Sequence, residues 1–310
     1  MSASVSDTAA VPDRLATLRP LLGELMDLKR VRTADHLEGL AARGFRRAWA
    51  ALVAGVEPEA LALRETALAL VSVRLGGIDA EVLHRAGLSP PRALELLHRA
   101  LDAAAGPLEP GLRERLHAAL AEPLGTEGTT PPPFVERLVR QPRAGATLPG
   151  RPRILLEPAE SHADHCYAVA VAAVLVAPLF GASPAPPFVA GLSHHLFNVV
   201  LPDAGYAGDV LLGDAVGPMV ERLTEEVLAT LPAGPATRIR EARRVLPRTD
   251  TPEARAFHAA DVLDRVLEMD FHARAAGFTL RHALEDLELV HDGPMQSYEN
   301  AVLAAAGIQP

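Results

Sequence analysis

A chain of 310 residues, 49% of them hydrophobic, is long enough to bury one large core or two modest ones. Its net charge of −9 gives no whole-molecule attraction to nucleic acid or to an anionic membrane, so both classes of partner are disfavoured. The single cysteine, Cys166, excludes an intramolecular disulfide framework and suits a reducing compartment.

Aromatic residues make up only 4% of the chain, while alanine and leucine dominate. These residues lose little rotamer freedom in a helix, and no alternating β-branched run competes. The sequence therefore predicts an all-α protein in two parts. A helical N-terminal domain at 1–124 serves packing or dimerisation, a Pro/Gly-rich linker covers 125–150, and a second helical domain covers 151–310. The first residues carry neither a basic nor an apolar leader pattern, so a cytoplasmic location is expected.

The N-terminal part reads as a series of amphipathic helices. The first is predicted over 12–30, and the second from Thr33 as N-cap to about Ala54. A third runs from Pro58 to Arg74, where Gly76-Gly77 stops it. Asp79 caps a short helix ending near Gly87, and Ser89-Pro90-Pro91 and Glu109-Pro110 open two more. The short helix, turn and helix over 81–104 have the outline of a helix-turn-helix, but residues 1–125 carry 15 basic against 16 acidic side chains. A reader of DNA needs a basic face.

Gly125 to Pro133 is the clearest break in composition, and Arg137, Arg140, Arg143, Arg151 and Arg153 follow it as a local positive cluster. Cys166 to Phe180 is an uninterrupted apolar run of 15 residues. A membrane span needs about 20, so a buried core helix is predicted. Further helices are expected over 188–201, 208–231, 235–246, 279–290 and 294–306. Thr251-Pro252-Glu253 opens a long one that reaches Ala276.

Within this apolar part, His194 and His195 are adjacent. Consecutive helical residues point about 100° apart, so both cannot face solvent from a mostly apolar helix. Imidazole is the commonest protein ligand for a transition metal, and a carboxylate completes a nitrogen and oxygen set. His165 opens the apolar helix, and Asp261 lies among alanines and aliphatics, where an acid needs a partner. The bland alternative for Asp261 is an ion pair with Arg265 one turn on.

Taken in order, Ala163-Asp164-His165, then His194-His195, then Ala259-Ala260-Asp261 resemble the HD-domain superfamily of metal-dependent phosphohydrolases, most closely its bacterial 5′-deoxynucleotidase branch. The resemblance covers about Arg151 to Ala276. The pair follows His165 by 29 residues, and Asp261 follows His194 by 67. It implies an HD-like helical bundle holding a divalent transition metal (Mn, Fe, Co, Ni or Zn) on His165, His194, His195 and Asp261. It also implies a small phosphorylated substrate such as a nucleotide.

Asp203, nine residues after His194, then becomes the candidate for positioning water or protonating a leaving group. Arg153 becomes the phosphate clamp, and His162 and Asn198 become neighbours of the metal or substrate. Two positions depart from the pattern. His195 replaces the doublet's aspartate, and Asn198 replaces a frequent glutamate and cannot take a proton. These departures motivate the rival expectation of a non-catalytic HD-like module that binds or scaffolds, with its N-terminal helices as the partner interface. A homodimer is a separate expectation for an alanine-rich helical protein of this kind. A two-iron oxygenase needs further histidines at spacings that His258 and His272 do not match.

Overall fold

A computed structural model describes residues 11–123, 128–276, 279–286 and 288–308, and among these described residues there are fourteen α-helices. They are α1 (Leu15–Glu24), α2 (Leu40–Val53), α3 (Pro58–Leu75), α4 (Ala80–Arg85), α5 (Pro90–Ala104), α6 (Pro110–Ala121) and α7 (Phe134–Arg140). Then come α8 (His162–Phe180), α9 (Ala185–Ser193), α10 (Gly205–Leu212), α11 (Val216–Leu228), α12 (Ala233–Ala242), α13 (Pro252–Ala276) and α14 (Gln296–Ala305). Among the described residues there are isolated β-bridges but no strand.

The apolar run becomes α8, and its surroundings explain why it has no polar face. It packs against α9, α13, α2, α3 and α7, and every residue from His162 to Ala177 is buried. A helix apolar all round must be enclosed in this way. Its start is fixed by a reciprocal capping box. Ser161 Oγ accepts from the Asp164 N–H, and the Asp164 carboxylate accepts from the Ser161 N–H. Gly181, at φ 68°, ends it in the left-handed region that glycine enters freely.

The helix α9 approaches α8 more closely than side chains allow. A Cβ at Gly191 would lie 2.7 Å from the Cα of Ala170, so glycine there is a condition of the packing. The long α13 lies against α8 on another side. The hydrophobic residues of the N-terminal helices belong to the same buried cluster as those of α8, α9 and α13.

Several predicted boundaries move, each for a local reason. The first helix tightens into a 3-10 segment at Leu25–Lys29. Thr33 caps no helix, because the chain folds back over Lys29 before α2 begins. A Cβ at Gly39 would lie 2.4 Å from the Lys29 carbonyl oxygen, and Leu40 N–H donates to the Val31 carbonyl. The linker region contains α7, whose Phe134, Val135 and Leu138 are buried. The helix expected over 208–231 is two helices broken at Gly213, at φ 58°. The segment expected as a helix over 279–290 holds one π-helical turn, His282–Asp286, among its described residues.

The helix predicted over 188–201 stops at Ser193, with a 3-10 turn at Leu196–Val199. Side chains take the carbonyls that a longer helix would use. The His194 ring donates to the Gly191 carbonyl at 2.7 Å, and Arg243 donates to that of Ser193. The two histidines therefore sit in a turn at the end of a helix, and both rings face inward from it.

Candidate metal centre

Two helices and the turn that ends a third bring one side chain each to a common point. His165 comes from the first turns of α8, His194 from the residue that ends α9, and Asp261 from the middle of α13. His165 Nε2 lies 3.0 Å from His194 Nε2 and 3.3 Å from Asp261 Oδ1, and His194 Nε2 lies 3.8 Å from the same oxygen.

The opposite edges of both rings decide what these atoms present. His165 Nδ1 is 2.7 Å from Asp264 Oδ2, and a carboxylate can only accept, so the proton is on Nδ1. His194 Nδ1 is bound in the same way to the Gly191 carbonyl. With the rings neutral, each Nε2 carries the lone pair, and the two lone pairs and an Asp261 oxygen point at one another. Burial, with His165 beside it, holds the His194 imidazole down to about 3, so it stays neutral. Burial opposes ionisation of Asp261, but the Arg265 guanidinium beside it holds its carboxyl well below the usual range.

Three acceptors facing one another call for a cation among them. Ligand lengths of about 2.0–2.2 Å would separate neighbouring donor atoms by about 3.0 Å in an octahedron and 3.4 Å in a tetrahedron. The observed separations fall in or near that range, so the residues fit a metal ion, and their nitrogen and oxygen composition suits a first-row transition metal.

His195 belongs to the same cluster, with a ring nitrogen within 4.8 Å of those of His165 and His194. Its nitrogens already have partners. Nδ1 donates to Asn198 Oδ1 at 2.8 Å, and Nε2 accepts from Arg143 at 3.2 Å. Asn198 completes its own pattern by donating to the Leu201 carbonyl, so the residue in the glutamate position serves to fix the His195 tautomer.

His162 lies fully buried against the His195 ring, at 4.7 Å between centroids, and neither of its nitrogens has a hydrogen-bond partner. Burial, aided by Arg143, pushes its pKa down to about 2. The nearest acid is Asp203, at 3.7 Å.

Asp203 and Arg153 bind backbone. The two oxygens of Asp203 accept from the N–H groups of Ala144 and Gly205, which ties two loops together. Arg153 spans the same loops through the carbonyls of Ala144 and Ala204. Both line a cavity of about 850 Å³ that also opens onto His194, His195 and Asp261. The arginines beside the histidine cluster are Arg143 and Arg265. Arg265 Nε is 3.6 Å from Asp261 Oδ2 and its far end binds Glu299. The ion-pair reading of Asp261 and its place in the cluster thus hold together, one oxygen for each.

The residues behind the cluster had not been singled out in the sequence. Asp264 orients His165, and Lys29 reaches Asp264 from the segment after α1. A carboxylate behind a ligating histidine sets its tautomer and raises its basicity. The available signals were the place of Asp264, one turn after Asp261, and Lys29 being the only lysine, set in an apolar stretch.

The apolar character of α8 is explained by this enclosure, and Cys166 on it is fully buried, which pushes its thiol up and leaves it unreactive. Comparison with protein-family models, with curated proteins and with solved structures finds no match.

Proposed function

We propose that this protein is a metal-dependent phosphohydrolase with an HD-like site, acting on a small phosphoester. The observation that carries the reading is the meeting of two Nε2 lone pairs and one carboxylate oxygen beside a cavity of about 850 Å³. His165, His194 and Asp261 would hold the ion, with His195 next to them. A divalent ion held there would supply Lewis acidity and would lower the pKa of a water enough for it to serve as the nucleophile at a phosphoryl centre near neutral pH.

The chain's own groups divide the remaining work. Asp264 and the Gly191 carbonyl keep both imidazoles in the ligating tautomer. Arg143 lies between His195 and Glu160 at the cavity wall, and its guanidinium is placed to hold anionic oxygens of a substrate. Asp203 and Arg153 fix the loops that form the cavity rim, with Asp203 the acid nearest His162.

The order of His165, the His194-His195 pair and Asp261, and their convergence from two helices and the turn that ends a third, both support the HD-like reading. A second reading has its own support. Asn198 stands where an acid would act, and Arg143 already engages His195 Nε2, as expected of a fold kept for binding alone.

One experiment separates them. Protein purified without chelator or affinity metal is analysed by mass spectrometry beside His194→Ala and Asp261→Asn, then screened on phosphomonoesters and phosphodiesters with the ion found. The phosphohydrolase reading expects about one equivalent of metal and turnover, both lost in the variants. Protein that takes up no metal even from excess Mn, Fe, Co, Ni or Zn refutes the phosphohydrolase reading and leaves the second.

A further inference from the structure

Lys29 does not lie at the surface, where a sole lysine would be expected. Its side chain is 2% exposed, and its ammonium contacts three buried carboxylates. Glu160 comes from the segment before α8, while Asp264, at 2.9 Å, and Glu268, at 3.4 Å, come from α13. Burial opposes the charge, and the three acids overcome it, so the ammonium stays protonated. The next residue, Arg30, binds Glu268 as well, and Arg143 lies 3.4 Å from Glu160. Three acids thus meet three basic groups, and loss of Lys29 would leave one buried charge unmatched.

This pocket adjoins the histidine cluster. Carboxylate oxygens of Glu160 and Asp264 lie within 4.8 Å of each other and of the His165 ring, and because His165 Nδ1 carries its proton toward Asp264, the carboxylates alone would face a cation there. The His165 ring stands between two cation positions. Its Nε2 faces His194 and Asp261, and its Nδ1 faces Asp264 and, beyond it, the ammonium. The first position offers nitrogen and oxygen, and the second offers carboxylate oxygen from Glu160, Asp264 and Glu268, the donor type of Mg, Ca and Mn.

We propose that the Lys29 ammonium is the fixed cation of this second position, occupying a carboxylate pocket that would otherwise take an oxygen-preferring divalent ion, and so limits the centre to one exchangeable metal. The proposal rests on the reading of His165, His194 and Asp261 as the first position. It makes the segment after α1 part of the centre, because a charge supplied there replaces one that a second ion would bring.

The test is a count of ions in the full-length chain. Wild type, Lys29→Arg and Lys29→Ala are refolded with and without Mn2+, freed of excess ion, and compared by mass spectrometry for Mn2+ content and by circular dichroism for folding. Lys29→Ala is expected to fold poorly in chelator, to recover with Mn2+, and to hold one ion more than wild type. Lys29→Arg should hold the wild-type number. Adding Glu268→Gln to Lys29→Ala should remove the extra ion.

Three results overturn the proposal: a Lys29→Ala protein that folds and gains no ion, one that fails to fold even with Mn2+ present, or an extra ion indifferent to Glu268→Gln. The two readings fail separately. Wild type without an ion and Lys29→Ala with one refute the first position alone, whereas one ion in each refutes the second alone.

Discussion

Replacing Asp264 by asparagine puts the hydrogen-bond logic of the centre to a quantitative test. The carboxylate accepts from His165 Nδ1 at 2.7 Å and pairs with Lys29 at 2.9 Å. An amide has one oxygen, and both neighbours are donors. If the oxygen stays on Lys29, the NH2 group faces His165 Nδ1, and the ring must move its proton to Nε2, which removes the lone pair from the centre. If the oxygen stays on His165, the NH2 group opposes the buried ammonium. Loss of such an orienting partner costs about 10–100-fold in metal affinity, or about 1.4–2.7 kcal/mol.

That loss can be read from thermal unfolding. Metal at about 100 times its Kd stabilises the wild type by about 2.7 kcal/mol, and the same metal concentration would stabilise the variant by about 0.4–1.4 kcal/mol. An unfolding entropy of about 2.1 cal/mol/K per residue over 310 residues converts these into a rise in Tm of about 4 °C for wild type and about 1–2 °C for Asp264→Asn. The assay is a pair of melting curves for each protein, in chelator and in Zn2+. An equal metal-induced rise in both proteins refutes the orienting role of Asp264.

Three further outcomes follow from the geometry. Gly191→Ala forces a Cβ to within 2.7 Å of the Ala170 backbone, so it should cost about 1–3 kcal/mol and weaken metal binding by moving His194 away from His165. Gly234→Ala, in α12 with nothing near its Cβ, should leave metal binding unchanged and should not lower the melting point, and equal melting points for the two variants would contradict the close packing of α8 on α9. Ser161→Ala removes half of the capping box of α8 and should cost about 1 kcal/mol, read from denaturant midpoints; no change would deny the cap its role.

His162 tests pH dependence. Its unfolded ring gains a proton near pH 6.5 and its folded ring only near 2, so the unfolded state binds more protons and metal-free stability falls as pH drops below 6.5. His194 acts in the same sense, while Glu160 and Glu299, whose carboxyls burial pushes up, oppose it. In His162→Asn one such proton is absent, and between pH 6 and 5 the slope should be shallower by about 1.2 kcal/mol per pH unit. Parallel curves for variant and wild type would show that the folded ring protonates normally.

Local chemistry made much of the helical frame legible in the sequence. Pro58, Pro90 and Pro110 open α3, α5 and α6 at the predicted places, Asp79 caps α4, and α13 spans Pro252 to Ala276 as expected. Such signals act over three or four residues, and any fold that contains the segment must respect them. The apolar run of α8 likewise announces burial, since no amphipathic arrangement could satisfy it.

The centre was legible only as a set of residue types in order. Tertiary structure alone decided that His165, His194 and Asp261 meet, that α9 stops before the histidine pair, and that Asp203 and Arg153 bind backbone at the rim. It also decided that Lys29 lies against Asp264 across 235 residues of chain. No local rule reports such a contact. It arises because α8 carries no polar face, so α9, α13 and the segment after α1 close around it, and their few buried charges must find one another there.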